Sequence, residues 1–221
     1  MTRTLLPTRL TSPWAISIWL WLLGSLPIFL MGIFSLASAL GWIEPIPDSE
    51  TYVANPVPIS LHIIGGSLML LLGPLQVNPR VRLRRRWLHK LAGRMFVLGG
   101  VAAGASAIWM ALTFPLISGM TTLLSNLFFG GAMLTTLTLG LRSILKGNVA
   151  AHRAWILRSY ALALGPATQR LLFMPYFLAF GLIDDPILGL ILIVGWAINL
   201  AVVELWVLRR SRRAPRVAPA E

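Results

Sequence analysis

Six long apolar stretches divide the chain, at 14–40, 57–77, 91–113, 120–141, 154–180 and 187–208. Each is about 18 residues or more with few charges, the length that carries an α-helix across bilayer hydrocarbon. None alternates apolar and polar residues with period two, so a β-barrel is not expected. The pattern predicts an all-α integral membrane protein, a bundle of six transmembrane helices over 14–208. A leader, 1–13, precedes it and a basic tail, 209–221, follows, which leaves no room for a separate soluble domain.

Composition agrees. The chain is 57% hydrophobic and 12% charged, with a mean hydropathy of +0.77; soluble domains carry about 25% charged residues. The net charge of +12 comes from 19 Lys+Arg against 7 Asp+Glu. In a soluble protein that excess would suggest nucleic acid. Here it clusters at the ends of apolar stretches, without an aromatic-basic surface, and follows the positive-inside rule. The densest run is 80–94, RVRLRRRWLHKLAGR. A second basic loop carries Arg142, Lys146 and Arg153. The acids Glu44, Asp48, Glu50, Asp184 and Asp185 fall in the other loops. Both termini are therefore expected on the cytoplasmic side of a bacterial-type inner membrane. The basic loops should attract anionic lipid. Ala37-Ser38-Ala39 is similar to a signal-peptidase site, but the apolar stretch before it exceeds the roughly 7–15 residues of a signal core, so an uncleaved anchor is expected. With no cysteine, thiolate metal sites and a cysteine nucleophile are excluded.

Polar side chains inside spans are costly and need a reason. They are His62, Gln76, Asn126, Gln169, Arg170, Asn199 and Glu204, with His89 and His152 at the cytoplasmic ends of spans three and five. Helical spacing groups them. One face of span two carries His62, Gly66, Met69, Gly73 and Gln76. The matching faces are His89, Gly93, Phe96 and Gly100 on span three, and His152, Ile156, Ser159, Pro166 and Arg170 on span five. Three faces begin with a histidine and continue with small residues. Such residues either let helices pack closely or leave room for a flat cofactor. At about 1.5 Å per residue, His62 lies roughly 20 Å or more from the other two histidines. His89 and His152 share one depth, so they are the pair expected to bind one metal, as a bis-imidazole site for haem iron. Arg94 and Arg158 lie close by. They either pair with haem propionates or snorkel to lipid phosphate. His62, Asn126, Gln169 and Arg170 suggest a second, outer site, with Asp184 or Asp185 as a structural partner for Arg170. Glu204 is expected to pair with Arg209 or Arg210.

This arrangement resembles the cytochrome b561 type of membrane haem protein. That family has six helices and a four-helix core whose paired histidines hold a haem near each face. The resemblance implies haem b, a haem-dependent membrane oxidoreductase, and a quinone or redox partner. His89 and His152 would be the cytoplasmic-side pair. His62 would belong to the outer pair, where Asn126 stands in place of the second histidine. Separately, LHIIGGSLMLLLGPLQ (61–76), RRRWLHKLAGRMF (84–96) and AHRAWILRSYALALGPATQR (151–170) resemble a domain-of-unknown-function family of bacterial predicted membrane proteins. Two metal-free readings stand beside the haem: a small-molecule, quinone- or lipid-binding transporter with Arg170 on an anion, and a membrane assembly factor. No nucleotide-binding, zinc-protease or serine-hydrolase motif occurs.

Overall fold

The computed structural model describes residues 12–44, 50–114, 119–181 and 185–213. Among them every regular element is a helix. The first apolar stretch forms one rod, Pro13–Ala39. It consists of α1 (Pro13–Trp19), a π-helical stretch (Leu20–Ser25) and α2 (Leu26–Ala39). There follow α3 (Glu50–Ala54), α4 (Pro56–Val77), α5 (Pro79–Arg84), α6 (Arg86–Thr113), α7 (Gly119–Leu145), α8 (Val149–Ala163), α9 (Gly165–Phe180) and α10 (Asp185–Arg213). Most of the leader and the end of the tail lie outside the described residues.

Among the described residues five helices are long and apolar enough to cross a membrane: Pro13–Ala39, Pro56–Val77, Arg86–Thr113, Gly119–Leu145 and Pro186–Arg209. The expected fifth span, 154–180, is not among them. It is broken at Leu164 into α8, of 15 residues, and α9, of 16. Pro166, in the first turn of α9, accounts for the break. It has no N–H to give and its ring crowds the carbonyl four residues earlier.

The core is a ring of four helices. α4 packs on α6, α6 on α7, α7 on α8, and α8 returns to α4. α6 and α8 therefore stand opposite each other. α1 and α2 lie against α4, while α10 covers α7, α8 and α9. Met69, Phe96, Phe129, Met133, Leu137, Ile156, Tyr160 and Leu162 fill the interior. The histidine-led faces do point inward: Met69, Phe96 and Ser159 are fully buried. Most glycines of these helices, however, are filled by neighbours, Gly66 being open. Gly65 and Gly99 bring the backbones of α4 and α6 into contact, Gly73 receives the Tyr160 ring, and Gly100 receives Leu137 and Met69. These glycines serve close helix packing.

Two prolines set how the outer helices attach. Pro74 cannot donate to the Leu70 carbonyl, nor Pro166 to the Leu162 carbonyl. No water replaces those bonds in hydrocarbon, so another protein group must. Ser25 Oγ donates to Leu70 O at 2.7 Å, and Trp21 Nε1 to Leu71 O at 2.7 Å. Ser17 Oγ donates to the Pro74 carbonyl at 3.1 Å. The three donors recur every fourth residue, a spacing that drifts around an α-helix. The π-helical stretch takes more residues per turn and offsets that drift. On the other side, Trp196 Nε1 donates to Leu162 O and Asn199 Nδ2 to Ala161 O, both at 3.1 Å.

Ser25→Ala should lower the unfolding temperature of the detergent-purified protein, at a cost of about 1 kcal/mol. Combined with Pro74→Ala, which restores a backbone N–H, the same change should cost close to nothing. Equal losses in both backgrounds would show that Ser25 is not serving the freed carbonyl.

Candidate functional site

Two of the three histidines lie at the basic end of the ring. Gly147, at φ 74°, closes α7 in a left-handed conformation that glycine adopts without strain. The Asn148 N–H then returns to Ser143 O at 2.9 Å. Asn148 also caps α8, its Oδ1 accepting from Ala151 N at 2.9 Å. This turn places His152 in the first helical turn of α8, with Nδ1 2.9 Å from the Gly140 carbonyl oxygen of α7. A carbonyl only accepts, so Nδ1 carries the proton and Nε2 of the neutral ring keeps its lone pair.

His89 occupies the equivalent first turn of α6, on the opposite side of the ring. Gln76, near the end of α4, donates from Nε2 to the His89 carbonyl at 3.2 Å. The His89 Nδ1 is buried and meets no hydrogen-bond partner among the described residues. His89 lies within electrostatic range of His152 and of Arg82. Two turns deeper than His152, Ser159 Oγ donates to Thr136 Oγ1 of α7 at 3.0 Å. Each core helix thus brings one group to this end: Gln76, His89, the Gly140 carbonyl and His152.

The chain belongs to the DUF2306 family of predicted membrane proteins. The family model, described as "Predicted membrane protein (DUF2306)", matches residues 59–207, from within α4 to near the end of α10. No curated protein and no solved structure matches the chain. The family match makes this a multi-span membrane protein in contact with lipid, and it carries no activity with it.

The remaining expected site residues are not brought to the histidine pair. Arg158 is held by Glu204 of α10: Nη2 donates to Oε2 at 2.8 Å, and Nε donates to Oε1. It also lies over the Trp155 ring, 4.4 Å from its centroid. The Glu204 carboxylate thus takes an arginine from a neighbouring helix, and Arg158 is not free for a propionate; the expected partner Arg210 has its side chain outside the described residues. Arg94 is exposed. The outer site does not assemble either. His62 Nδ1 lies 3.0 Å from the Ala103 carbonyl oxygen of α6. Arg170 is exposed on α9 beside the Phe173 ring, while its neighbour Gln169 is buried and donates to Leu192 O. Asp184 and the Asp185 side chain lie outside the described residues. Among the described residues no group of three His, Cys, Asp or Glu side chains converges.

The Arg158–Glu204 pair ties α8 to α10, with side chains 20% and 42% exposed. Arg158→Glu should therefore reduce the yield of folded protein, because two carboxylates then face each other in a thinly solvated place. Adding Glu204→Arg should recover it, as read by monodisperse elution in detergent. Failure of the double variant to recover any yield would count against the pair as the tie.

Proposed function

We propose that this is a six-span inner-membrane protein with both termini cytoplasmic, in which His89 and His152 hold a single b-type haem for membrane electron transfer. The observation that carries the reading is that the two imidazoles stand in the first turns of opposite helices, α6 and α8, at one end of the four-helix ring. One has its Nδ1 seated on a backbone carbonyl, and the other has a buried Nδ1 without a partner. A histidine whose outer nitrogen is fixed by a carbonyl is oriented to present Nε2 to a metal. The donor set fits a bis-imidazole iron site. Haem, when bound, would supply a one-electron couple. The chain's own part is to orient His152 through Gly140, to fix the first turn of α6 through Gln76, and to keep the interior beyond dry with Phe96, Ile156 and Tyr160. A single haem is proposed because the outer end has His62 alone, with Asn126 standing where a second histidine would be needed.

The topology rests on charge. The break at Leu164 leaves α8 and α9 consecutive, separated by one residue, so together they serve as one kinked crossing. Both basic loops and both ends then share a side. Single cysteines placed at Lys146 and at Trp42, in a chain that has none of its own, should label from opposite sides in oriented vesicles. Labelling from the same side would refute the topology.

The filled glycine notches favour a second reading: a metal-free protein whose histidine pair binds a quinone head group or another small polar ligand. One experiment separates the two. Protein purified from cells given ample haem precursor should show a sharp Soret band, with split α and β bands on dithionite reduction. Either His89→Ala or His152→Ala should abolish them. Folded protein with a flat visible spectrum would remove the haem reading, as would full haem retention by both variants.

A further inference from the structure

A second site lies outside the ring at the same basic end. Arg80, Arg84 and Arg85 line a cleft of about 470 Å³ together with Trp14, Val81 and Leu88. Three elements build it. Trp14 comes from the first turn of α1, Leu88 from the first turn of α6, and the arginines from α5 and the residue after it.

The arginines are held on a short element that is fixed to the bundle, unlike those of a loose polybasic tail. Asn78 is buried and caps α5, its Oδ1 accepting from Arg80 N at 2.9 Å. Its Nδ2 donates to Ser17 Oγ at 3.0 Å and to the Pro13 carbonyl at 3.3 Å, which locks α5 against α1. Val81 is 1% exposed and anchors the inner face of α5. Arg80 and Arg84, four residues apart, then share the outer face, with Arg85 following. All three are exposed. No carboxylate among the described residues pairs with any of them. Three arginines thus line one cleft together with the apolar side chains of Trp14 and Leu88. Such a cleft is complementary to an anion bearing several acceptor oxygens next to an apolar body.

We infer that this cleft is a phosphate clamp, and that the phosphate-bearing group it takes is either an anionic phospholipid headgroup or a soluble phosphate. The inference is independent of the haem reading, since no residue is shared. It goes beyond general attraction of basic loops to an anionic surface, because it assigns the recognition to three positions fixed by Asn78.

The test uses the full chain in detergent, with thermal unfolding followed against added phosphatidylglycerol, phosphatidylcholine of the same acyl chains, or inorganic phosphate. Phosphatidylglycerol or inorganic phosphate should stabilise the wild type, and phosphatidylcholine should not; which of the two acts names the source. Arg80→Gln with Arg84→Gln should weaken that anion's apparent affinity about tenfold or more. Arg142→Gln with Lys146→Gln, which removes the same charge from another loop, should leave it nearly unchanged. Arg80→Lys with Arg84→Lys keeps the charge and loses the forks, so it should fall between wild type and the glutamine pair. Equal loss in the two charge-removing variants would overturn the clamp in favour of diffuse charge. So would the absence of any preference for anions in the wild type.

Discussion

A backbone carbonyl left without its helical donor inside hydrocarbon must find another donor within the protein, and two such carbonyls determine how this bundle is put together. Proline removes the donor at Pro74 and at Pro166. The carbonyls set free belong to Leu70 and Leu162. In both cases an outer helix supplies a donor: Ser25 of the first rod to Leu70 and Trp196 of α10 to Leu162, while Trp21 and Asn199 bond the adjacent carbonyls of Leu71 and Ala161. The same segment that recurs in the sequence, Leu-Gly-Pro at 72–74 and 164–166, recurs in the structure as a docking notch. The glycine before each proline opens the space, and an aromatic ring enters it. Tyr160 fills the notch at Gly73, and Trp196 the one at Gly165. Apolar matching against lipid gives helices little reason to prefer one another, so directed bonds to otherwise unpaired carbonyls are what fix α1 and α10 in place.

The two notches also join the outer helices to the inner ring. Tyr160 belongs to α8 and enters α4, so the first notch closes the ring at the edge where α4 meets α8. Trp196 belongs to α10 and stacks on Phe129 of α7, ring centroids 4.2 Å apart. The second notch thereby places α10 across three helices at once. Arg158 and Glu204 hold the same helix nearer the basic end. Glu204 is thus explained by packing: it neutralises an arginine whose helix must run deep into the bundle.

Much of this architecture was legible in the sequence because apolar length and charge placement are strong signals. The stretches 57–77 and 120–141 lie within helices Pro56–Val77 and Gly119–Leu145. A period of 100° per residue grouped Met69, Phe96 and Ser159 with the histidine-led faces, and the structure turns those faces inward. The break at Leu164 was missed because hydropathy does not register a lost hydrogen bond, although Gly165-Pro166 within an apolar run was a signal for it. The partner of Glu204 was missed for a different reason. Helix order along the chain does not say which helices touch, and the expected partners were near in sequence. Arg158 and Glu204, an arginine and the single carboxylate at about the same depth, were the signal that could have found the pair. The fate of the glycines was also illegible: whether a notch holds a cofactor or a neighbouring side chain depends on where Tyr160 and Leu137 reach, which spacing alone does not give.

The two ends of the ring are chemically unequal, and this asymmetry bears on where chemistry can occur. At the end away from the basic loops, His62 is satisfied by the Ala103 carbonyl of the neighbouring helix, and the expected second histidine is Asn126. At the basic end His152 has its carbonyl and Gln76 has the His89 backbone, while the His89 Nδ1 is buried without a partner among the described residues. An unpartnered atom alone does not set this end apart, since Ser60 Oγ and Thr122 Oγ1 are buried without a partner towards the other end. What differs is the number of imidazoles: His89 and His152 stand in the first turns of two opposite ring helices, whereas the other end has His62 alone.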